Sequence, residues 1–131
     1  MYVLIGGAGL VGLSLAEKLI ELGHTVAIID IDSTACRYTR EPVGVMVFEG
    51  SAVSTEVLLE AGIHKANALA ALLRSDALNL AMVTLAKHCG VPHVLTCMRH
   101  SDFAEPLRLA GANRIISTVD LGVSTMVNAI E

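Results

Sequence analysis

Short apolar runs of strand length alternate along the chain with longer segments whose apolar residues recur at helical spacing. Tyr2–Gly6 is the first such run. Gly9–Leu22 follows, with Leu10, Leu13, Ala16, Leu19 and Ile20 near one helical face, and Gly23 supplies a left-handed stop. Thr25–Ile29 is β-branched and predicts a second strand, and Ser33–Arg40 a short helix begun by Asp32 or Ser33. Val43–Phe48, led in by Pro42, predicts the third strand.

The second half repeats the pattern. Ser54 can cap a helix through Ala61 that stops at Gly62, and the alanine-rich run Ala66–Leu73 predicts a fourth strand. Ser75 or Asp76 begins a helix through Cys89, ended by Gly90 and Pro92, and His93–Met98 is a fifth strand. Ser101 or Asp102 opens a helix that stops at Gly111, and Arg114–Ser117 is the sixth strand. Pro106 breaks that last helix pattern, so either its first turn is distorted or the helix proper begins with Pro106 at its first position. Asp120–Glu131 places Val123, Met126, Val127 and Ile130 on one helical face, and the chain stops while that helix still runs, as in a truncated chain or a helix that packs on a partner. Six βα units result, three on each side of a crossover. Because parallel crossovers are right-handed, the expected architecture is an α/β Rossmann fold: a doubly wound parallel sheet of six strands in the order 3-2-1-4-5-6, with helices on both faces.

Composition narrows the function classes. Of 131 residues, 53% are hydrophobic and 17% charged, too apolar for a disordered or nucleic-acid-coating chain. The net charge is −4 and the nine Lys and Arg are scattered from Lys18 to Arg114, which leaves no basic patch for a polyanion. No nucleic-acid partner is expected. Aromatic residues are only 3%, so Val, Ile, Leu and Ala must build the core, the palette of a parallel sheet covered by helices. No segment reaches the roughly 18 uninterrupted apolar residues of a membrane span, so direct membrane insertion is not expected. Met1–Ile20 has no basic residue before its apolar stretch and is interrupted by glycines, unlike a signal peptide. Three cysteines without a CxxC pair indicate neither a disulfide framework nor a zinc knuckle. These features predict a soluble cytoplasmic domain.

One motif carries chemistry. Gly7-Ala8-Gly9-Leu10-Val11-Gly12 is the dinucleotide fingerprint G-x-G-x-x-G, set between the first strand and the first helix. Gly7 permits the tight turn, Gly9 lets a pyrophosphate approach bare backbone, and Gly12 lets helix and strand pack closely. Free amides and the dipole at the helix start then face the anion. Asp30 follows 18 residues after Gly12, at the end of the second strand, where a carboxylate accepts hydrogen bonds from both adenosine ribose hydroxyls and repels a 2′-phosphate. NAD(H) is therefore favoured over NADP(H). Ser51 and Ala52 follow the third strand, where an adenine edge would lie, although Ser51 can equally serve to start the next helix. Leu73 and Arg74 end the fourth strand at the topological switch point, and Arg74 is either a phosphate contact or a solvated loop charge. Met98, at the end of the fifth strand with Arg99, reads as core packing. Asp30 with Asp32 is rejected as a catalytic pair, since successive strand-end positions point apart and nothing supplies a nucleophile. The five histidines fall mostly at element ends, and His88, Cys89, His93 and Cys97 do not match a compact zinc motif. No metal is expected.

Nearly the whole chain resembles the N-terminal nucleotide-binding domain of RCK-type potassium regulators, also called KTN or Trk-type potassium-uptake regulator domains. The resemblance is carried by YVLIGGAGLVG, by VAIIDID through Asp32, by EGSAVSTEVLLEAGI through Ile63, by ANALAALLRSDALNLA through Ala81 and by LRLAGANRIIS through Ser117. It implies a single nucleotide-binding domain over residues 1–131, without the C-terminal ligand lobe of full-length regulators. It implies a cytoplasmic sensor, peripheral at the inner face of the membrane through a partner, that binds NAD(H) or, in some branches, ADP, ATP or AMP. Such sensors assemble through a sheet edge and the last helix into homodimers or rings, and report occupancy to a membrane potassium channel or transporter subunit. Carried over by position, nucleotide contact is implied at Gly7, Ala8, Gly9, Leu10, Val11, Asp30, Ser51, Ala52, Leu73, Arg74 and Met98. The chain departs from the family where it has Leu10 in place of a common Arg, which removes a partner for a third phosphate, and Ser51 in place of Asp or Asn.

A non-enzymatic regulatory module is thus the expected function. The competing class is the cofactor-binding lobe of an NAD-dependent oxidoreductase whose substrate domain is missing. Hydride transfer needs a second lobe that places substrate against the nicotinamide, and six βα units use the whole chain. An orphan assembly domain with a decayed site is the third class.

Overall fold

A computed structural model of the chain describes residues 1–40 and 44–131. The strands are β1 (Tyr2–Gly6), β2 (Thr25–Asp30), β3 (Val45–Glu49), β4 (Ala68–Ala71), β5 (His93–Met98) and β6 (Arg114–Ser117). The helices are α1 (Leu10–Glu21), α2 (Ser33–Arg40), α3 (Thr55–Glu60), α4 (Asp76–His88), α5 (Ala104–Leu109) and α6 (Thr118–Ile130), with short 3-10 turns over Ile63–Lys65 and Ser101–Phe103. All strand pairs are parallel and the order is β3-β2-β1-β4-β5-β6, the Rossmann order that the alternation predicts. The Pro42 lead-in and Val43 start expected for the third strand lie outside the described residues.

Two-residue alternation sorts the strands between two buried clusters. Leu4, Ala27, Ile29, Leu69, Ala71 and Val94 face the larger one, with Leu58 of α3, Met82 and Val83 of α4 and Leu107 of α5. Val3, Ile5, Val26, Ile28 and Ala70 face the other, with Ala16 of α1. The first cluster is well covered. The second is covered by α1 over β1 and β2 but opens beyond it into a shallow apolar groove of about 280 Å³, where Leu15 and Leu19 of α1 face Ala68, Ala70 and Leu95.

Local chemistry sets the element ends. Gly23, Gly62, Gly90 and Gly111 have positive φ just after helices or at their final turns, where a side chain would be strained. The fourth strand is shorter than the apolar run suggests, because Ala66 closes the preceding 3-10 turn and the ladder ends at Ala71. Pro106 falls at the third position of α5, behind the 3-10 turn, and not at its first. The distorted entry is the outcome, and Pro106 is tolerated because first-turn amides lack intrahelical partners anyway. The last helix begins at Thr118, two residues earlier than the apolar face indicates, because Ser117 Oγ accepts the Asp120 amide as its cap. Among the described residues, no helix is long and apolar enough to cross a membrane.

Candidate functional site

The carboxyl ends of β1, β2, β3 and β4 surround a cavity of about 500 Å³, within the usual range for small-molecule sites. Its floor is the turn between β1 and α1. Gly7 has φ +108°, and a Cβ there would lie 2.5 Å from the Leu72 carbonyl oxygen. The Gly7 amide donates to Ile29 O at 2.9 Å, which ties the turn to β2. A Cβ on Gly12 would fall on the Gly7 carbonyl oxygen, so the first turn of α1 can sit this close only on glycine. Gly9, with open space where a side chain would be, is the N-cap of α1.

That cap distinguishes α1 from α2, α3, α4 and α6. Asp32 Oδ1 accepts the amides of Thr34 and Ala35 at the start of α2, and Ser54, Ser75 and Ser117 accept amides at the starts of α3, α4 and α6. Gly9 offers α1 no side-chain acceptor, and no acidic residue stands in its first turn. The first amides of a 12-residue helix are therefore left without a side-chain acceptor, beside a Gly9 that lines the cavity and with the positive end of the helix dipole behind them.

Asp30 stands opposite. Its Oδ2 accepts the Ala8 amide at 2.7 Å and its Oδ1 the Asp32 amide at 2.8 Å, so the carboxylate is oriented without help from a ligand. Each oxygen keeps a lone pair for another donor. Asp32 also lines the cavity, and its Oδ2 lies 3.8 Å from Arg74 Nη2 across the mouth. Among the described residues, Asp30, Asp32 and Arg74 are the charged lining groups: two carboxylates and one guanidinium.

The remaining candidates distribute as follows. Ser51 and Ala52 line the cavity below β3, and Ser51 Oγ accepts the Val53 amide at 3.2 Å, so this hydroxyl does shape the turn before α3. Leu73 and Arg74 line it from the β4 end. Ala8 is buried, while Leu10 (83% exposed) and Val11 sit on the open first turn of α1. Met98 stands apart from these. It is 7% exposed and belongs to the buried cluster between the sheet and α3, α4 and α5, and it is absent from the cavity lining. Strand alternation sends it to the core side, as its residue type indicates and as the positional carry-over does not. Among the described residues, no three His, Cys, Asp or Glu side chains converge as a metal site requires.

Sequence reasoning passed over Ile31 and Leu78 and gave Asp32 only a helix start and a rejected pairing with Asp30, yet all three line the cavity. It also passed over two buried polar residues of α4. The Asp76 carboxylate, 6% exposed, accepts the amides of Arg99 and His100 at 2.9 Å each. The Asn79 side chain, 2% exposed, bonds to the backbone of Leu73 and Cys97. Polar residues three apart behind a serine cap, on a helix face otherwise buried, were the available signal.

The comparisons with known proteins agree with this geometry. The TrkA-N domain family matches residues 3–118. The Trk system potassium uptake protein TrkA homolog of Pyrococcus horikoshii is 40% identical over 102 residues, which is 78% of this chain and 44% of that protein. The chain thus spans about half the length of the first curated relatives it matches. Among solved structures, the TrkA-N domain of the inner membrane protein ybaL from Escherichia coli superposes with a TM-score of 0.91 at 23% identity, over 99% of this chain and 96% of that one. The GsuK channel, solved bound to NAD and also bound to ADP, shares the fold at 24% identity over 88% of this chain, with a TM-score of 0.79 for the NAD-bound structure, of which the match covers 21%. A family match over most of the chain and a relative of this identity leave one assignment: the chain belongs to the TrkA-N domain family.

Proposed function

We propose that this chain is a cytoplasmic regulatory domain that binds an adenine nucleotide, NAD(H) first among them, and reports its occupancy to a membrane potassium channel or transporter. The observation that carries the reading is the pairing, across one cavity, of the uncapped α1 amides with a carboxylate already oriented at the end of β2. The amides take the diphosphate, Asp30 takes the adenosine ribose hydroxyls, and Ser51 and Ala52 border the base. Arg74 meets a phosphate from the β4 side. ADP, AMP and ATP share the adenosine and are the alternative ligands. ATP fits least well, because among the described residues Arg74 is the one cation in the lining and Leu10 adds none. The naming of Trk relatives and the NAD- and ADP-bound GsuK structures support the reading.

Regulation requires that the nucleotide bind two assembly states unequally, since equal affinity shifts nothing. The surfaces for assembly are the exposed apolar face of α6 and the open groove beside α1. The domain supplies no group for hydride transfer in this reading.

Thermal unfolding with NAD, NADH, NADP, ATP, ADP and AMP tests it. A ligand at 100 times its Kd adds about 2.7 kcal/mol of stability, and NAD or NADH is expected to give the largest upward shift in Tm and NADP none. Asp30→Ala is expected to abolish the NAD(H) response. Asp30→Asn, which keeps one acceptor for the loop amides, should weaken it. Sedimentation with and without ligand reads assembly. A full response in Asp30→Ala would remove the ribose role.

A further inference from the structure

Asn79 belongs to α4 and does not line the cavity, yet it holds the backbone that does. The β1–β4 and β4–β5 ladders both end at Ala71, paired with Gly6 and Thr96. One residue further, the Leu72 amide still reaches Gly6 O at 2.9 Å. Leu73 has run out of sheet. Its amide goes to Asn79 Oδ1 at 2.8 Å, and its carbonyl accepts from Asn79 Nδ2 at 3.4 Å. The same Nδ2 donates to Cys97 O at 3.3 Å, at the end of β5. One turn earlier on α4, Asp76 grips the amides of Arg99 and His100 just beyond β5.

The peptide held in this way is the wall against which the fingerprint turn is built. A Cβ on Gly7 would lie 2.5 Å from Leu72 O and 3.6 Å from Leu73 N. Any shift of the Leu72–Leu73 peptide therefore moves against Gly7 on one side and carries Arg74 with it on the other. An amide 98% removed from solvent costs free energy unless its donors and acceptor are all used, and here each is used on backbone. A leucine would fill the same space on α4 without that requirement, but it would leave the Leu73 amide unpaired.

We infer that Asn79 is a positioning residue of the nucleotide pocket: its buried amide, taking over where the sheet ends, sets the Leu73–Arg74 lip and through it the Gly7 turn, while Asp76 fixes the adjoining β5 lip. The inference rests on the adenine-nucleotide reading of the cavity.

The test measures ADP affinity by titration calorimetry for the unaltered chain, for Asn79→Ala and Asn79→Asp, and for Val91→Ala as a core truncation away from the cavity. Asn79→Ala is expected to raise the Kd for ADP at least tenfold, and Val91→Ala to leave it within twofold although both lower Tm. Asn79→Asp separates positioning from bulk stability. Its protonated carboxyl keeps one acceptor for the Leu73 amide and one donor for a carbonyl, whereas its ionised form turns negative oxygens on the Leu73 and Cys97 carbonyls. ADP affinity in this variant should approach that of the unaltered chain in mild acid and fall as pH rises, more steeply than in the unaltered chain measured alongside. A Kd for Asn79→Ala within twofold of the unaltered chain would overturn the inference, as would an Asn79→Asp affinity that follows the unaltered pH profile. If Asn79→Ala does not fold, the Asn79→Asp profile decides alone. An unaltered chain that binds no adenine nucleotide takes down the pocket reading and this inference together; one that binds but is indifferent to Asn79 takes down only the inference.

Discussion

Helices α4 and α6 are both 13 residues long, both start on a serine whose hydroxyl accepts an amide of the first turn, and both place an aspartate in that turn. As isolated segments they are close equivalents. In the fold they part completely. Five residues of α4 are buried, Asp76, Asn79, Met82, Val83 and Ala86, whereas none of α6 is, and Leu121, Val123, Met126, Val127 and Ile130 all remain exposed. Connection makes the difference. α4 joins β4 to β5, and a right-handed crossover between adjacent parallel strands lays it on the sheet. α6 follows edge strand β6, and among the described residues no later strand draws it back. An apolar stripe says that a helix has a face to cover; topology says with what.

The largest expected effect breaks the comparison directly. Met82→Ala, which empties a fully buried position on α4, should cost about 2–5 kcal/mol, and Met126→Ala on α6 no more than about 0.5 kcal/mol, both read by urea unfolding at dilute protein concentration. Equal costs would mean that α6 is docked on its own domain. A smaller effect sharpens it. Ser75→Ala should lower global stability by about 1 kcal/mol, the usual worth of a lost cap, because α4 melts only with the core. Ser117→Ala should leave the unfolding midpoint in place and speed amide exchange within α6 alone. Should both variants shift the midpoint alike, the two helices would be equally coupled to the fold.

A third effect, no larger than that of the lost cap, is a pH signature of the covered side of the molecule. Tyr2 packs against Gly62, its hydroxyl donates to the Ala61 carbonyl, and burial pushes its phenol above the ordinary range. The unfolded chain therefore ionises first, so this contribution is whole below the ordinary phenol pKa and is lost as pH rises through the raised one. Tyr2→Phe should cost about 1 kcal/mol at neutral pH and flatten the alkaline decline in stability. A decline as steep in Tyr2→Phe would assign it to other groups.

Most of the fold was legible because its signals are local. Apolar runs of strand length, helical spacing between them and glycines at Gly23, Gly62, Gly90 and Gly111 mark the elements in the order in which they occur. Right-handed crossovers then leave one economical strand order. The fingerprint and Asp30 were legible for the same reason, since their spacing along the chain reflects one βαβ unit. Other parts of the site were not. Ile31 and Leu78 look like ordinary apolar positions until β2 and α4 stand on either side of the cavity. Met98 ends the strand beside those that border the site but is buried in the core, and only the pleat sends it there.

By itself, then, the amino-acid pattern determined that this chain folds as alternating strands and helices, that its sheet is parallel and doubly wound, and that the turn at Gly7–Gly12 faces an acidic strand end at Asp30. Each depends on residues within one or two elements of each other. The tertiary structure alone decided that Asn79 holds Leu73 and Cys97, that Asp76 holds Arg99 and His100, and that α6 stays uncovered. Buried hydrogen bonds form wherever distant backbone is left without a ladder partner, and which backbone that is follows from where strands end in space, a quantity that periodicity does not encode.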